Sequence, residues 1–173
     1  MNKYGLTLVA EMPVLYKNLI QQNGFIPKIF TLVNEDGDQY VFYLDNLNIE
    51  REIEGDLYQY ILKTHNAIAY ARGFLAALES GDQQIYIVVV GKNDQLGVQL
   101  VAPIQRDEGG VISNVGEYRI DPAPKEKLTH GWWFNEKEFA DGRLEQLSGL
   151  WNHIKSISMH RKMINFVNDY DKS

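Results

Sequence analysis

The chain contains no cysteine among its 173 residues. Disulfide bonds, thiolate nucleophiles and cysteine metal ligands are therefore excluded, because each of them needs the cysteine sulfur. A chain without cysteine fits a reducing compartment, and we expect a cytoplasmic location on this ground. Residues 1–17 show no charged stretch followed by an apolar core, so no signal peptide is expected.

Long apolar runs and net positive charge are also missing. No apolar run approaches the ~18 residues of a membrane-spanning helix, so no membrane partner is expected. The formal net charge is −6, whereas nonspecific binding to nucleic acid needs a basic surface. We therefore expect no nucleic-acid partner. A mildly acidic protein would suit a basic protein partner, because opposite charges steer the encounter.

Histidine, a frequent metal ligand and acid–base catalyst, occurs only four times. We interpret His65, which lies on an apolar stripe, as a packed and hydrogen-bonded residue. His153 and His160 are seven residues apart, which on one helix places them about 10 Å apart along the axis. That distance is too long for one shared metal ion. No metal site is predicted.

The composition indicates a globular protein, with 45% hydrophobic residues. A chain of this length suits one domain, and we predict a single α+β domain over residues 1–173. The predicted architecture is an antiparallel sheet of about five strands, made of two β-hairpins and one further strand. A long central helix and a long C-terminal helix are expected to pack on this sheet.

The central helix is predicted over residues 56–78. Its apolar residues recur at intervals of three, four or seven, which lines one face of an α-helix; they are Leu57, Ile61, Ile68, Leu75 and Leu78. Asp56 is suited to cap the start of this helix, and Gly81 to end it. Gly73 would lie inside the helix, and we interpret it as a point of close packing.

The other elements are predicted from local patterns. A short first helix over residues 13–22 has Pro13 in its first turn. The strands of the two hairpins are predicted at residues 28–34, 39–45, 84–90 and 96–104. A fifth strand is predicted at 116–120, ended by the prolines that follow it. The C-terminal helix is predicted from Arg143 to Asn168.

Residues 101–110, Val-Ala-Pro-Ile-Gln-Arg-Asp-Glu-Gly-Gly, resemble the acetyl-CoA pyrophosphate loop of the GNAT acetyltransferases. That resemblance implies phosphate binding by backbone N–H groups at the start of a helix. However, residues 112–116 cannot begin an amphipathic helix, and Asp107 and Glu108 would face the phosphates. We therefore interpret the segment as the exit loop of a hairpin, and no cofactor is predicted.

The candidate binding site consists of His130, Trp132, Trp133 and Phe134. Three consecutive aromatic residues cannot all point inward from an extended chain, so one of them is expected at the surface. Exposed aromatic side chains anchor interfaces, and a loop histidine suits binding or acid–base chemistry. The alternative is that both sides of this stretch are covered by the core. No catalytic residue is assigned.

Three functional hypotheses follow, and the first is favoured. It is a small soluble, non-enzymatic protein that binds a specific macromolecular partner, like an immunity or adaptor protein. Residues 13–17 with Asn23-Gly24 resemble the first helix of the SUKH-type immunity proteins, which implies such a role. An enzymatic role stays open.

The second hypothesis is a small-ligand-binding protein or enzyme with its site in the loop from His130 to Phe134. The third is a homo-oligomeric structural protein joined through the C-terminal helix. In that helix three residues would add apolar surface beyond the main stripe, namely Met159, Met163 and Phe166.

Overall fold

The computed structural model of the chain describes residues 1–45, 47–128, 134, 138–155 and 159–162. Its helices are α1 (Lys3–Asn23), α2 (Arg51–Thr64) and α3 (Asp141–Lys155). Its strands are β1 (Ile29–Asn34), β2 (Asp38–Tyr43), β3 (Ala67–Ala77), β4 (Gln83–Gly91), β5 (Leu96–Arg106), β6 (Ile112–Val115), β7 (Arg119–Pro124) and β8 (Met159–Lys162).

The described strands form one antiparallel sheet in the order β6-β5-β4-β3-β1-β2-β8, and β7 also pairs with β5. The α+β architecture and both hairpins, β1–β2 and β4–β5, are confirmed. Within the described residues the sheet has eight strands rather than the predicted five or so. One apolar cluster lies between the sheet and α1, and a second lies between the sheet and the α2–α3 pair.

The prediction of one long central helix is wrong, because α2 ends at Thr64 and the next residues form β3. Asn66 adopts a left-handed conformation with φ 50°, which reverses the chain between the two elements. Asp56 is consequently inside α2 rather than at its start. Leu75 and Leu78, which helical spacing assigned to the core, are 39% and 42% exposed.

The residues of β3 satisfy a period of two as well as a helical period. Small residues at every second position face α1; they are Ala69, Ala71 and Gly73. Because these side chains are short, α1 can approach the sheet closely. The Tyr16 ring of α1 lies directly over Gly73, so Gly73 is a point of close packing on a strand rather than in a helix.

Helix α1 begins ten residues earlier than the predicted start at Pro13. Asn2 caps it, since its Oδ1 accepts a hydrogen bond of 2.8 Å from the N–H of Gly5. A buried row at four-residue spacing holds it to the sheet; the row is Leu8, Met12, Tyr16 and Ile20. This packing stabilises the helix despite Pro13, which lacks a backbone donor and lies in its interior.

The predicted fifth strand at 116–120 is replaced by two strands, β6 and β7. The prolines that were expected to end a strand lie within β7, where Pro122 is opposite Val98 and Pro124 is opposite Leu96. An edge strand tolerates proline because the missing N–H would have faced solvent. Among the described strands, β7 pairs only with β5, which makes it such an edge.

The C-terminal helix is shorter than predicted. Helix α3 ends at Lys155 rather than Asn168, and the chain then pairs with β2 as strand β8. The helical surface proposed for homo-oligomerisation is therefore wrong at Met159, which lies in β8. Met163 and Phe166 lie outside the described residues. The buried face of α3 consists of Leu147, Trp151 and Ile154.

Candidate functional site

Of the four residues proposed as a binding site, His130, Trp132 and Trp133 lie outside the described residues. Phe134 is half-buried, and its ring centroid is 5.1 Å from that of Tyr70. The Nζ of Lys125 lies 5.7 Å from the centroid of the same ring. Phe134 thus packs against the core instead of standing exposed, and the proposal for this loop stays a prediction.

A different site is formed where β1 and β3 diverge. The last residue of β3 that pairs with β1 is Arg72, opposite Phe30, whereas pairing with β4 continues to Ala77. Extending the β1 register would place Pro27 opposite Leu75, and proline has no N–H to donate. Within the described residues, β3 beyond Arg72 therefore has a neighbouring strand on one side only.

The backbone groups of this half-paired segment alternate in direction. On the β4 side, the Ile68 carbonyl accepts from Lys92 at 2.9 Å and the N–H of Leu78 donates to Asp82 at 2.7 Å. Even-numbered residues therefore face β4, and odd-numbered ones face the opposite side. The N–H of Gly73 donates to Tyr16 Oη at 2.6 Å. The N–H and C=O groups of Leu75 and Ala77 thus point into the open side.

The opening is a cleft with a volume of about 290 Å³. We call it the β3 cleft; its lining residues are Phe25, Ile26, Pro27, Lys28, Arg72, Gly73, Phe74, Leu75 and Arg106. Phe25 is 50% exposed, although it is a large apolar residue. The lining includes three basic residues and no acidic one. It therefore combines an apolar contact surface, basic side chains and backbone groups that face no neighbouring strand among the described residues.

A charge cluster fixes one wall of the cleft. Glu54 of α2 forms salt bridges with Lys28 at 2.8 Å and with Arg72 at 3.3 Å. Tyr58 donates a hydrogen bond of 2.6 Å to the same carboxylate. Burial acts to raise the pKa of Glu54, but these hydrogen bonds and the two cations together hold that pKa below its usual value. A second carboxylate lies next to this cluster, since Asp45 Oδ1 accepts a hydrogen bond of 2.7 Å from the backbone N–H of Lys28.

Arg106 supplies the charge on the other wall. Its Nε donates to Gln83 Oε1 and its Nη1 donates to the Gly110 carbonyl, each at 2.7 Å. Both acceptors are neutral, so these hydrogen bonds position the guanidinium without neutralising it. The turn after Arg106 leads into strand β6, not into a helix. The interpretation of residues 101–110 as the exit loop of a hairpin is therefore right only for 107–110, because residues 101–106 belong to β5.

The remaining sequence candidates have structural roles or show no chemistry. His65 ends α2 and packs against Tyr40 and Trp151, with ring centroids 4.4 and 4.9 Å apart. In the part of the chain that the structure describes, no group of three metal-ligating side chains lies together. None of the described helices is long and apolar enough to cross a membrane.

Sequence reasoning missed the β3 cleft because it assigned β3 to a helix. Two signals for it were available. The small residues before Gly73 alternate strictly with larger ones, and Arg72 interrupts an otherwise apolar run. A charged residue at the centre of a sheet needs a nearby partner, which Glu54 supplies.

Comparison with protein-family models found no match, and searches of curated proteins and of solved structures likewise returned no match.

Proposed function

We propose that this protein is a non-enzymatic binding protein and that its macromolecular partner docks in the β3 cleft. The observation that carries the proposal is the open side of β3 at Leu75 and Ala77. Proteins usually protect such edges with proline or charge, because unpaired backbone groups recruit another chain. Strand β7 has Pro122 and Pro124, whereas the exposed end of β3 reads Leu-Ala-Ala-Leu from residue 75 to 78.

The surroundings of this edge favour a chain segment over a small molecule. A volume of about 290 Å³ lies at the lower limit for pockets that enclose a small ligand, which measure roughly 300–1,000 Å³. Phe25, Leu75 and Leu78 are each more than a third exposed. Exposed apolar residues beside charged ones are typical of surfaces that bind proteins.

The proposal is tested by placing a charge in the cleft. Phe25→Glu and Leu75→Glu each introduce a carboxylate at an apolar contact, and Val14→Glu on α1 is the matched control, because Val14 is 59% exposed. Tagged variants are used to capture partners from extracts of the native host. A partner captured by the wild type and by Val14→Glu should fall at least tenfold with both cleft variants, while melting temperatures stay similar.

Two results would contradict the proposal. One is capture of the same partner at wild-type levels by both cleft variants. The other is loss of capture with Val14→Glu as well, which would point to a nonspecific effect of added negative charge.

The two alternative hypotheses remain predictions. A ligand site or enzyme at the loop from His130 to Phe134 depends mainly on residues outside the described part of the chain. A homo-oligomer through the C-terminal helix would need a new interface, since α3 ends at Lys155. Gel filtration with light scattering tests the oligomer, and a strict monomer at high concentration would contradict it.

A further inference from the structure

We infer that Asn23 is a site of spontaneous deamidation and that the last turn of α1 sets the rate of this reaction. Asn23-Gly24 is the only asparagine–glycine pair in the chain. Asparagine is chemically labile, since the backbone nitrogen of the following residue can attack its side-chain carbonyl carbon. Glycine has no Cβ that would block the attack. The inference concerns the protein itself and is independent of a partner in the β3 cleft.

The structure holds both reacting groups in hydrogen bonds. The N–H of Gly24 donates to the Ile20 carbonyl at 2.7 Å, so the attacking nitrogen is turned along the helix. Asn23 Nδ2 donates to the Leu19 carbonyl at 2.8 Å, which directs the side-chain amide back along α1. Gly24 is left-handed, with φ 75°, and caps the helix. While this turn is closed, the nitrogen of Gly24 is not presented to the side-chain carbon of Asn23.

This turn can open without unfolding the protein. The last buried residue of α1 is Ile20, and residues 21–23 are exposed. The turn beyond Ile20 is therefore held by hydrogen bonds and by no buried side chain of its own, and such helix ends open more readily than the core. The Gly24 carbonyl accepts a hydrogen bond of 2.9 Å from the N–H of Ile112, which ties the end of the helix to β6.

The reaction needs water as its only co-reactant. A bond forms between the Gly24 nitrogen and Asn23 Cγ, and the side-chain amide leaves as ammonia with the proton of the Gly24 N–H. Water opens the resulting succinimide at either carbonyl, which gives aspartate or isoaspartate. The new carboxylate lies at the C-terminus of α1, where the helix dipole disfavours negative charge. It cannot donate to Leu19, and isoaspartate also lengthens the main chain. The modification therefore loosens the junction between α1 and β6.

The test compares deamidation in the native full chain with deamidation in urea, both at neutral pH. Peptide mapping by mass spectrometry locates the conversion of amide to acid. Asn114, which is exposed and followed by valine, is the internal control. In urea, Asn23 should react at least tenfold faster than Asn114. In the native protein, Asn23 should be slowed by the same factor as amide exchange at Gly24, to within a few-fold, because both require the Gly24–Ile20 hydrogen bond to open.

A pair of variants tests the turn directly. Glycine is less favourable than alanine in a helix, so Gln22→Gly should open the last turn more often than Gln22→Ala. Deamidation at Asn23 and amide exchange at Gly24 should both be several-fold faster in Gln22→Gly. The melting temperatures of the two variants should stay similar, because residue 22 is exposed.

Four results would overturn the inference. If Asn23 is no faster than Asn114 in urea, it is not the reactive site. Equal rates for Asn23 in the native and unfolded chains would mean that the turn offers no protection. Slowing far beyond the protection of the Gly24 amide would mean that the reaction requires global unfolding. Equal deamidation rates in the two Gln22 variants would likewise exclude the last turn as the controlling element.

Discussion

Replacing Gly73 with alanine distinguishes the observed strand from the helix that the sequence pattern suggested. An added Cβ at this position would overlap the Tyr16 ring and lie 2.6 Å from its Oη. Contacts below 3.0 Å force one side to move. Tyr16 is fully buried within the cluster under α1, so the ring has little room to shift.

The expected cost has two parts and one offset. Overpacking a buried site costs about 1–3 kcal/mol. Displacing Tyr16 also breaks its hydrogen bond with Gly73 N–H, and an unsatisfied buried donor costs about 1–3 kcal/mol. Replacing glycine stiffens the unfolded chain and returns about 0.4–1 kcal/mol. The net result is a loss of about 1–5 kcal/mol in the free energy of unfolding.

The assay is equilibrium denaturation of Gly73→Ala beside Gly149→Ala. Gly149 lies in α3 with nothing within 4 Å of its added Cβ. Alanine there should stabilise the protein by up to about 1 kcal/mol, because glycine is a poor helix former. If residue 73 lay inside a helix at an uncrowded position, its substitution would also stabilise. Two stabilised variants would therefore refute β3 and its contact with Tyr16.

Three other substitutions test the packing and the charges. Glu54→Gln should lower the free energy of unfolding by about 1–3 kcal/mol near neutral pH. Because the pKa of Glu54 is depressed in the folded protein, this difference in stability from the wild type should shrink as the pH falls below about 4. A pH-independent difference in denaturation midpoints would contradict the ion pairs. Trp151→Ala should lower the free energy of unfolding by about 3–5 kcal/mol, since the indole packs edge-on against Phe42 with ring centroids 5.0 Å apart. An unchanged melting temperature would mean that α3 does not pack against Phe42. Pro13→Ala should stabilise α1 by up to about 3 kcal/mol, measured by thermal denaturation, and a destabilised variant would show that α1 does not continue through this position.

The hairpins were predictable because their signals are local. Turn residues at Gly37 and Asn93 separate runs of β-branched and aromatic residues, and such runs favour strands wherever they pack. The start of α1 was also encoded locally, in Asn2, but Pro13 looked like a first-turn proline. The buried row of α1 extends more than one helical turn to either side of Pro13. Packing along that row outweighs the cost of one interior proline.

Strand β3 was not predictable from its own residues. The alanine-rich sequence around Ala69 and Ala71 satisfies a helical period and a strand period at once. Pairing with β1 and β4, which come from distant parts of the chain, selects the strand. The β3 cleft depends on the same pairing, because it exists only where the β1 register stops short of the end of β3. A site that results from a register offset leaves little local sequence signal, here only the alternation of small residues before Gly73 and the charge of Arg72.

Amide hydrogen exchange read along β3 tests the central claim most directly. In the protein alone, the amides of Ala69 and Ala71, which face β1, should exchange slowly, and Gly73 should be protected by Tyr16. Leu75 and Ala77 should exchange much faster, because their N–H groups face the open side. Slow exchange at Leu75 and Ala77 in the protein alone would contradict the open edge, and with it the docking site.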